Sequence, residues 1–389
     1  MAELMDPHRM RSGWFGVAAT AAATFTVVTS EMLPVGLLTP VGAALAVSEG
    51  VAGLTLTVTG LVAAVSAPLL TPVLGRLDRR LALVALVLLL AVGNLASAWA
   101  PGFGVLVVAR ALVGVGMGGV WAIAAGLGAR LVPGRPAATA VIFSGIAVAS
   151  VLGVPLGTYL GELAGWRAAF AVAGGLAVVV ALALAVLLPR LPGEPGPRLG
   201  GVLRLAAERR VATGLAVVAL LVTGHFAAYT YVRPVLEQVS GVSPALLGTL
   251  LLGYGLAGVV GNFVAGWAVA RSPRWTLVVL GGVLAGTVLL IPLLGAAAVG
   301  LLLVWGLAYG GVSVSTQTWL LASVPRAREA GSALFVGVFN AAIAAGALAG
   351  GRIADALGVT AVLWLGGALA IAAAVVAGLG RAPESGVLR

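Results

Sequence analysis

The sequence contains no cysteine and no lysine, and only two histidines, His8 and His225. Without cysteine there is no disulfide and no thiolate metal site, and two distant histidines are too few for a metal cluster. Charge is scarce as well: 9% of the residues are charged, against about 25% in an ordinary soluble domain. That deficit excludes a soluble fold for 389 residues. The longest polar segment, residues 189–210, is too short for a signalling domain, which leaves a non-transporting membrane receptor as a remote alternative. No phosphate loop, nucleotide motif or nucleophile–base arrangement appears, so neither an enzyme nor an ATP-driven pump is expected, and no cofactor is implied.

What remains is apolar. Hydrophobic residues make up 61% of the chain, the mean hydropathy is +1.15, and there are 57 glycines. Small residues let helix backbones approach closely in lipid. At ~20 apolar residues per crossing, the chain holds roughly twelve membrane helices. Polar punctuation places them near 14–44, 51–74, 81–99, 104–130, 137–160, 166–188, 211–236, 244–270, 275–296, 298–323, 328–350 and 358–380. The first run is too long for a cleaved signal and should remain as helix 1. Residues 189–210, with five arginines, two glutamates and four prolines, read as a linker between two six-helix bundles, 1–188 and 211–389. An all-α integral membrane fold is therefore expected. The net charge of +10 is spread over short loops, so no nucleic-acid partner is expected. If the N-terminus is cytoplasmic, 18 arginines fall on that side and only Arg167 and Arg352 on the other. The positive-inside rule then places both termini in the cytoplasm.

Several ionisable groups stand inside the apolar runs. Glu31 lies roughly 25 Å along helix 1 from Trp14, too deep to reach the interface easily. A carboxylate there costs from a few to over ten kcal/mol by different estimates, so function is the default reading. Glu31 is a candidate proton carrier and a candidate contact for the substrate, with a permanently paired structural carboxylate as the alternative. Arg110, at a compatible depth in helix 4, is either a switchable partner for Glu31 or the substrate, or one half of a fixed ion pair. On helix 7, His225, Tyr229 and Arg233 recur at i, i+4 and i+8, a polar stripe suited to a ring-shaped polar solute. The alternative is ordinary inter-helix hydrogen bonding, and Arg233 has a local partner in Glu237. Trp121, Tyr309, Asn340, Asn262 and Gln317 are weaker candidates for the same cavity. Gly114/Gly118, Gly153/Gly157/Gly161 and Gly346/Gly350 have the small-xxx-small spacing of tight packing, and Pro34 and Pro155 are expected to kink their helices.

Several of these residues also carry a resemblance. Gly75 with Asp78-Arg79-Arg80 resembles a shortened form of the loop signature of the major facilitator superfamily. Arg110 followed by Gly114, Gly116 and Gly118 is similar to that family's helix-4 motif. Gly153-Val-Pro155-Leu-Gly157 is similar to the motif of its antiporter branch. A finer likeness, to purine ribonucleoside exporters of the drug:proton antiporter group, runs through Gly118-Gly-Val-Trp121, Pro155 to Arg167, and Tyr229-Thr-Tyr231-Val-Arg233-Pro234. The resemblance implies two pseudo-symmetric six-helix bundles, alternating access and gating by the quoted loop and glycine motifs. It further implies proton antiport in a bacterial inner membrane, by a monomer whose partners are protons, lipid and a small solute. The implied substrate is a purine ribonucleoside or base, with a chloramphenicol-like drug or a sugar as the alternative.

Overall fold

In the computed structural model, residues 7–74, 77–193, 205–325 and 327–380 are described. Gly75, Arg76, Arg198, Arg204, Arg326, Arg381, Arg389 and residues 194–204 of the expected linker lie outside them.

Every regular element among the described residues is helical. Lipid offers no partner for backbone amides and carbonyls, and a helix satisfies them within one segment. The helices are α1 (Pro7–Leu45), α2 (Glu49–Leu74), α3 (Arg79–Ala98), α4 (Phe103–Leu131), α5 (Pro136–Ala164), α6 (Trp166–Leu187) and α7 (Arg209–Tyr229). They continue as α8 (Val232–Gln238), α9 (Pro244–Val269), α10 (Pro273–Leu294), α11 (Leu301–Gly310), α12 (Val312–Ser323), α13 (Arg328–Leu357) and α14 (Val359–Leu379). Among the described residues, eleven stretches are long and apolar enough to cross a membrane, one of them the 51-residue run Pro273–Ser323. As continuous helix that run would measure about 75 Å, far beyond a ~30 Å hydrocarbon core. A 3-10 segment at Gly295–Gly300, entered with Gly295 at φ +54, divides it into two.

Four boundaries differ from expectation. Helix α1 starts earlier, at Pro7. The seventh apolar run is two helices, because Pro234 has no amide to donate to the Thr230 carbonyl and the chain restarts in α8. The tenth breaks at the Gly310-Gly311 pair. The eleventh runs on to Leu357.

Contacts sort the chain into two compact units, the first up to Leu33 and from Val58 to Gly196, the second Pro34–Thr57 with the chain from Pro197 onward. Residues 34–57, counted from sequence among the first six helices, thus group with the second unit. Polar contacts within that unit account for this. Asp355, near the end of α13, accepts hydrogen bonds from the Gly50 amide at 3.0 Å and the Ser48 hydroxyl at 2.8 Å. It thereby caps the positive N-terminal end of α2 with a carboxylate. Glu49 accepts from Thr39 and from Gln238, each at 3.3 Å. Asp355→Ala should free the Gly50 amide, so hydrogen exchange at Gly50 should accelerate about fivefold for a bond worth roughly 1 kcal/mol. Unchanged exchange there would show that the cap does not hold this segment.

Within the second unit, α9 and α11 meet backbone to backbone. A methyl group on Gly261 would fall on the Leu307 carbonyl, one on Gly306 on the Tyr254 carbonyl, and one on Gly310 on the Gly258 carbonyl. In the first unit, α3 and α4 are similarly close, with Gly93 against Ala109 and Val113, and Gly116 against Leu86 and Leu90. The apolar core of that unit is built on such residues as Leu83, Val87, Leu90, Val113, Met117 and Val120.

Candidate functional site

Glu31 and Arg110 come together in the first unit, both withdrawn from solvent at 4% and 0% exposure. Arg110 donates from Nη2 to the backbone carbonyl of Ser30 at 2.7 Å and, more weakly, to that of Glu31 at 3.4 Å. The reason lies four residues on. Pro34 sits inside α1 and has no amide, so the Ser30 carbonyl loses its helical donor. Arg110 supplies the replacement from α4, with its guanidinium 5.6 Å from the centre of the Phe170 ring. Asn94 on α3 completes the turn by donating to the Ser30 hydroxyl at 2.9 Å. The Glu31 carboxylate is left with Oε1 buried and no hydrogen-bond partner among the described residues.

The same logic recurs in the second unit. Pro40 frees the Gly36 carbonyl, and Arg233 donates to it from Nη1 at 2.8 Å. Arg233 also meets Glu237 at 3.0 Å, the local pairing anticipated from their spacing. Arg233 stands on α8, beyond the break at Thr230 and Tyr231, so the three-residue stripe expected on one helix is interrupted. The residues within α7 behave differently: His225 and Tyr229 enter a cluster of rings.

That cluster draws on three helices of the second unit. His225 stacks on Tyr309 of α11, centroids 3.3 Å apart and planes 7° from parallel, and on Tyr229 at 4.9 Å. Tyr229 stacks in turn on Tyr254 of α9 at 4.8 Å. Trp305 of α11 stands edge-on to His225 at 5.7 Å, and its indole nitrogen donates to Nδ1 of His225 at 3.0 Å. Tyr309 is the partly exposed ring; the other four are buried. Two polar atoms of this ladder, Nε2 of His225 and the hydroxyl of Tyr254, are buried with no hydrogen-bond partner among the described residues. Sequence reasoning singled out His225, Tyr229 and Tyr309. It missed Tyr254 and Trp305, lone aromatics in apolar runs that carry no pattern of their own, and it missed Asn94.

The other candidates take packing or capping positions. Trp121 on α4 stacks on Phe143 of α5 at 6.4 Å. Asn340 donates to the Val336 carbonyl of its own helix at 2.9 Å, while Asn262 and Gln317 are exposed. Asp78 caps α3, accepting from the amides of Arg80 and Leu81 at 2.9 and 3.2 Å. Arg79 closes the end of α2, donating to the Leu74 carbonyl at 3.1 Å, and Arg80 is half-buried. Gly114 and Gly118 bring α4 against Thr59 and Ala63 of α2, and Gly153 and Gly157 bring α5 against Thr29 and Leu33 of α1. Pro155 lies buried within α5.

An all-helical, multi-pass membrane protein with a buried carboxylate and a polar aromatic cluster has the makings of a solute transporter. The chain belongs to the Major Facilitator Superfamily, whose family model matches residues 20–320 and 213–388. It is 35% identical over 370 residues to a purine ribonucleoside efflux pump, NepI, of Escherichia coli O6:K15:H31 (strain 536 / UPEC), covering 94% of this chain and 93% of the relative. Among solved structures, the nucleoside transporter NupG superposes with a TM-score of 0.73 at 12% identity, covering 93% of this chain and 98% of that one. A bacterial homolog of the human lysosomal transporter Spinster, in an inward-facing and unoccupied conformation, superposes with a TM-score of 0.71 at 17% identity over 95% of each chain. Those two likenesses concern the fold. The relatives are transporters, not enzymes.

Proposed function

We propose that the protein exports purine ribonucleosides or their bases across a bacterial inner membrane, driven by proton antiport through alternating access. The observation that carries this reading is the 35% identity, over nearly the whole chain, to a purine ribonucleoside efflux pump. The ring ladder of Tyr309, His225, Tyr229 and Tyr254 supports it, since flat heteroaromatic solutes stack on aromatic faces. Glu31 is the proton carrier in this scheme, a carboxylate whose charge changes as its surroundings change between inward- and outward-facing states. Arg110 fixes the backbone that presents Glu31. A proton crossing 100 mV contributes about 2.3 kcal/mol, and a pH gradient adds to that. The arginine asymmetry supports cytoplasmic termini.

The test is flux of labelled inosine or adenosine in proteoliposomes, with and without an imposed pH gradient. Uptake that follows the gradient, against little flux of chloramphenicol or sugars, is the expected result. Equal flux with and without the gradient would identify a facilitator, and preference for a sugar or a phenicol would overturn the substrate reading.

A further inference from the structure

The hydrogen bond between Trp305 and His225 determines which nitrogen of the imidazole carries hydrogen. An indole nitrogen donates and never accepts, so Nδ1 of His225, 3.0 Å from it, must hold a lone pair. In the neutral ring the hydrogen then sits on Nε2. A protonated imidazolium, with hydrogen on both nitrogens, would set one N–H against the other. His225 is thus held as a neutral donor, and its donor atom is buried with no acceptor among the described residues. Leaving a buried donor unsatisfied is unfavourable, and an arriving acceptor removes the penalty. The faces of the imidazole are covered by Tyr309 and Tyr229, so an incoming group meets the ring at its edge. The unpartnered Tyr254 hydroxyl belongs to the same ladder and can either donate or accept.

We propose that Trp305 is a positioning residue that makes His225 an obligate hydrogen-bond donor to the solute. The site accordingly selects planar heteroaromatic solutes bearing an acceptor atom at the ring edge. Trp305 sets this selectivity without touching the solute. The proposal rests on the reading that the ring ladder binds the transported ribonucleoside.

Two measurements on the full-length chain test it. In a His8→Ala background only one histidine remains, so 15N-histidine NMR of the purified protein reports the tautomer directly. The Nε2–H form is expected; the Nδ1–H form, or a charged ring at neutral pH, overturns the proposal whatever any variant does. The second measurement is equilibrium binding of adenosine and of its 1-deaza, 3-deaza and 7-deaza analogues, each replacing one ring acceptor by C–H. Wild type should lose about tenfold in affinity for one of the three. Trp305→Phe and His225→Phe should erase that difference, and His225→Gln, which keeps an N–H at the end of the side chain, should retain it. Binding of all four compounds with equal affinity by wild type, or undiminished discrimination by Trp305→Phe, overturns the proposal while leaving the nucleoside reading standing. Failure of wild type to bind any purine ribonucleoside overturns both.

Discussion

Glu31→Gln is expected to abolish gradient-driven export while leaving the protein folded and inserted. Glutamine matches the shape of a protonated glutamic acid, and the Glu31 carboxylate has Oε1 buried without a hydrogen-bond partner among the described residues. The neutral amide keeps the size of the protonated acid and carries no charge to bury. The turn that carries it is held through backbone and neighbouring groups, by Arg110 on the Ser30 carbonyl and Asn94 on the Ser30 hydroxyl, so the substitution leaves those contacts in place. What disappears is a side chain able to exchange a proton. In proteoliposomes, accumulation driven by a pH gradient should fall to the level seen without one, whereas nucleoside binding should persist. A Glu31→Gln protein that accumulates solute at wild-type rates would remove Glu31 from the coupling scheme.

Gly310→Ala is expected to be the most damaging of the small packing changes. A methyl group there meets the Gly258 carbonyl, carbonyl carbon and Cα, all backbone atoms with no side-chain end to swing aside. One of the two helices must move. Overpacking of this kind costs roughly 1–3 kcal/mol, sometimes more. The displacement would also reach the site, because α11 carries Trp305 and Tyr309 while α9 carries Tyr254. Thermal unfolding of the purified protein should therefore show a lower midpoint, and nucleoside affinity should fall with it. Gly282→Ala on α10 is the control: nothing lies within 4 Å of its added methyl group, and alanine favours helix. A Gly310→Ala protein as stable as Gly282→Ala would show that α9 and α11 are less tightly engaged than their glycines imply.

How much of this was legible beforehand depended on contrast with the surrounding residues. Glu31, Arg110 and His225 stand out because lipid makes a polar group costly, and each occupies a buried position. The helices were legible for the same reason, and their breaks less so. Pro234 and the Gly310-Gly311 pair mark two interruptions, but punctuation inside an apolar run reads equally as a bend or as a restart. Tyr254 and Trp305 were invisible, since an isolated aromatic in a membrane helix is ordinary and only the meeting of α7, α9 and α11 gives these two a role. The hold of Asp355 on Ser48 and Gly50 was likewise beyond reach: the residues are 307 and 305 positions apart, and periodicity says nothing about such pairings.

The prolines of α1 give Arg110 and Arg233 a role that depends on them. Arg110 and Arg233 each occupy a gap that a proline four residues downstream opens in the helical ladder, at Ser30 and at Gly36. With an ordinary amide restored at position 34 or 40, the carbonyl regains its own donor and the guanidinium loses one of its acceptors. With the arginine removed and the proline kept, a carbonyl is stranded in an apolar interior. Each proline and its arginine are therefore coupled, so that a change at one alters what the other must satisfy.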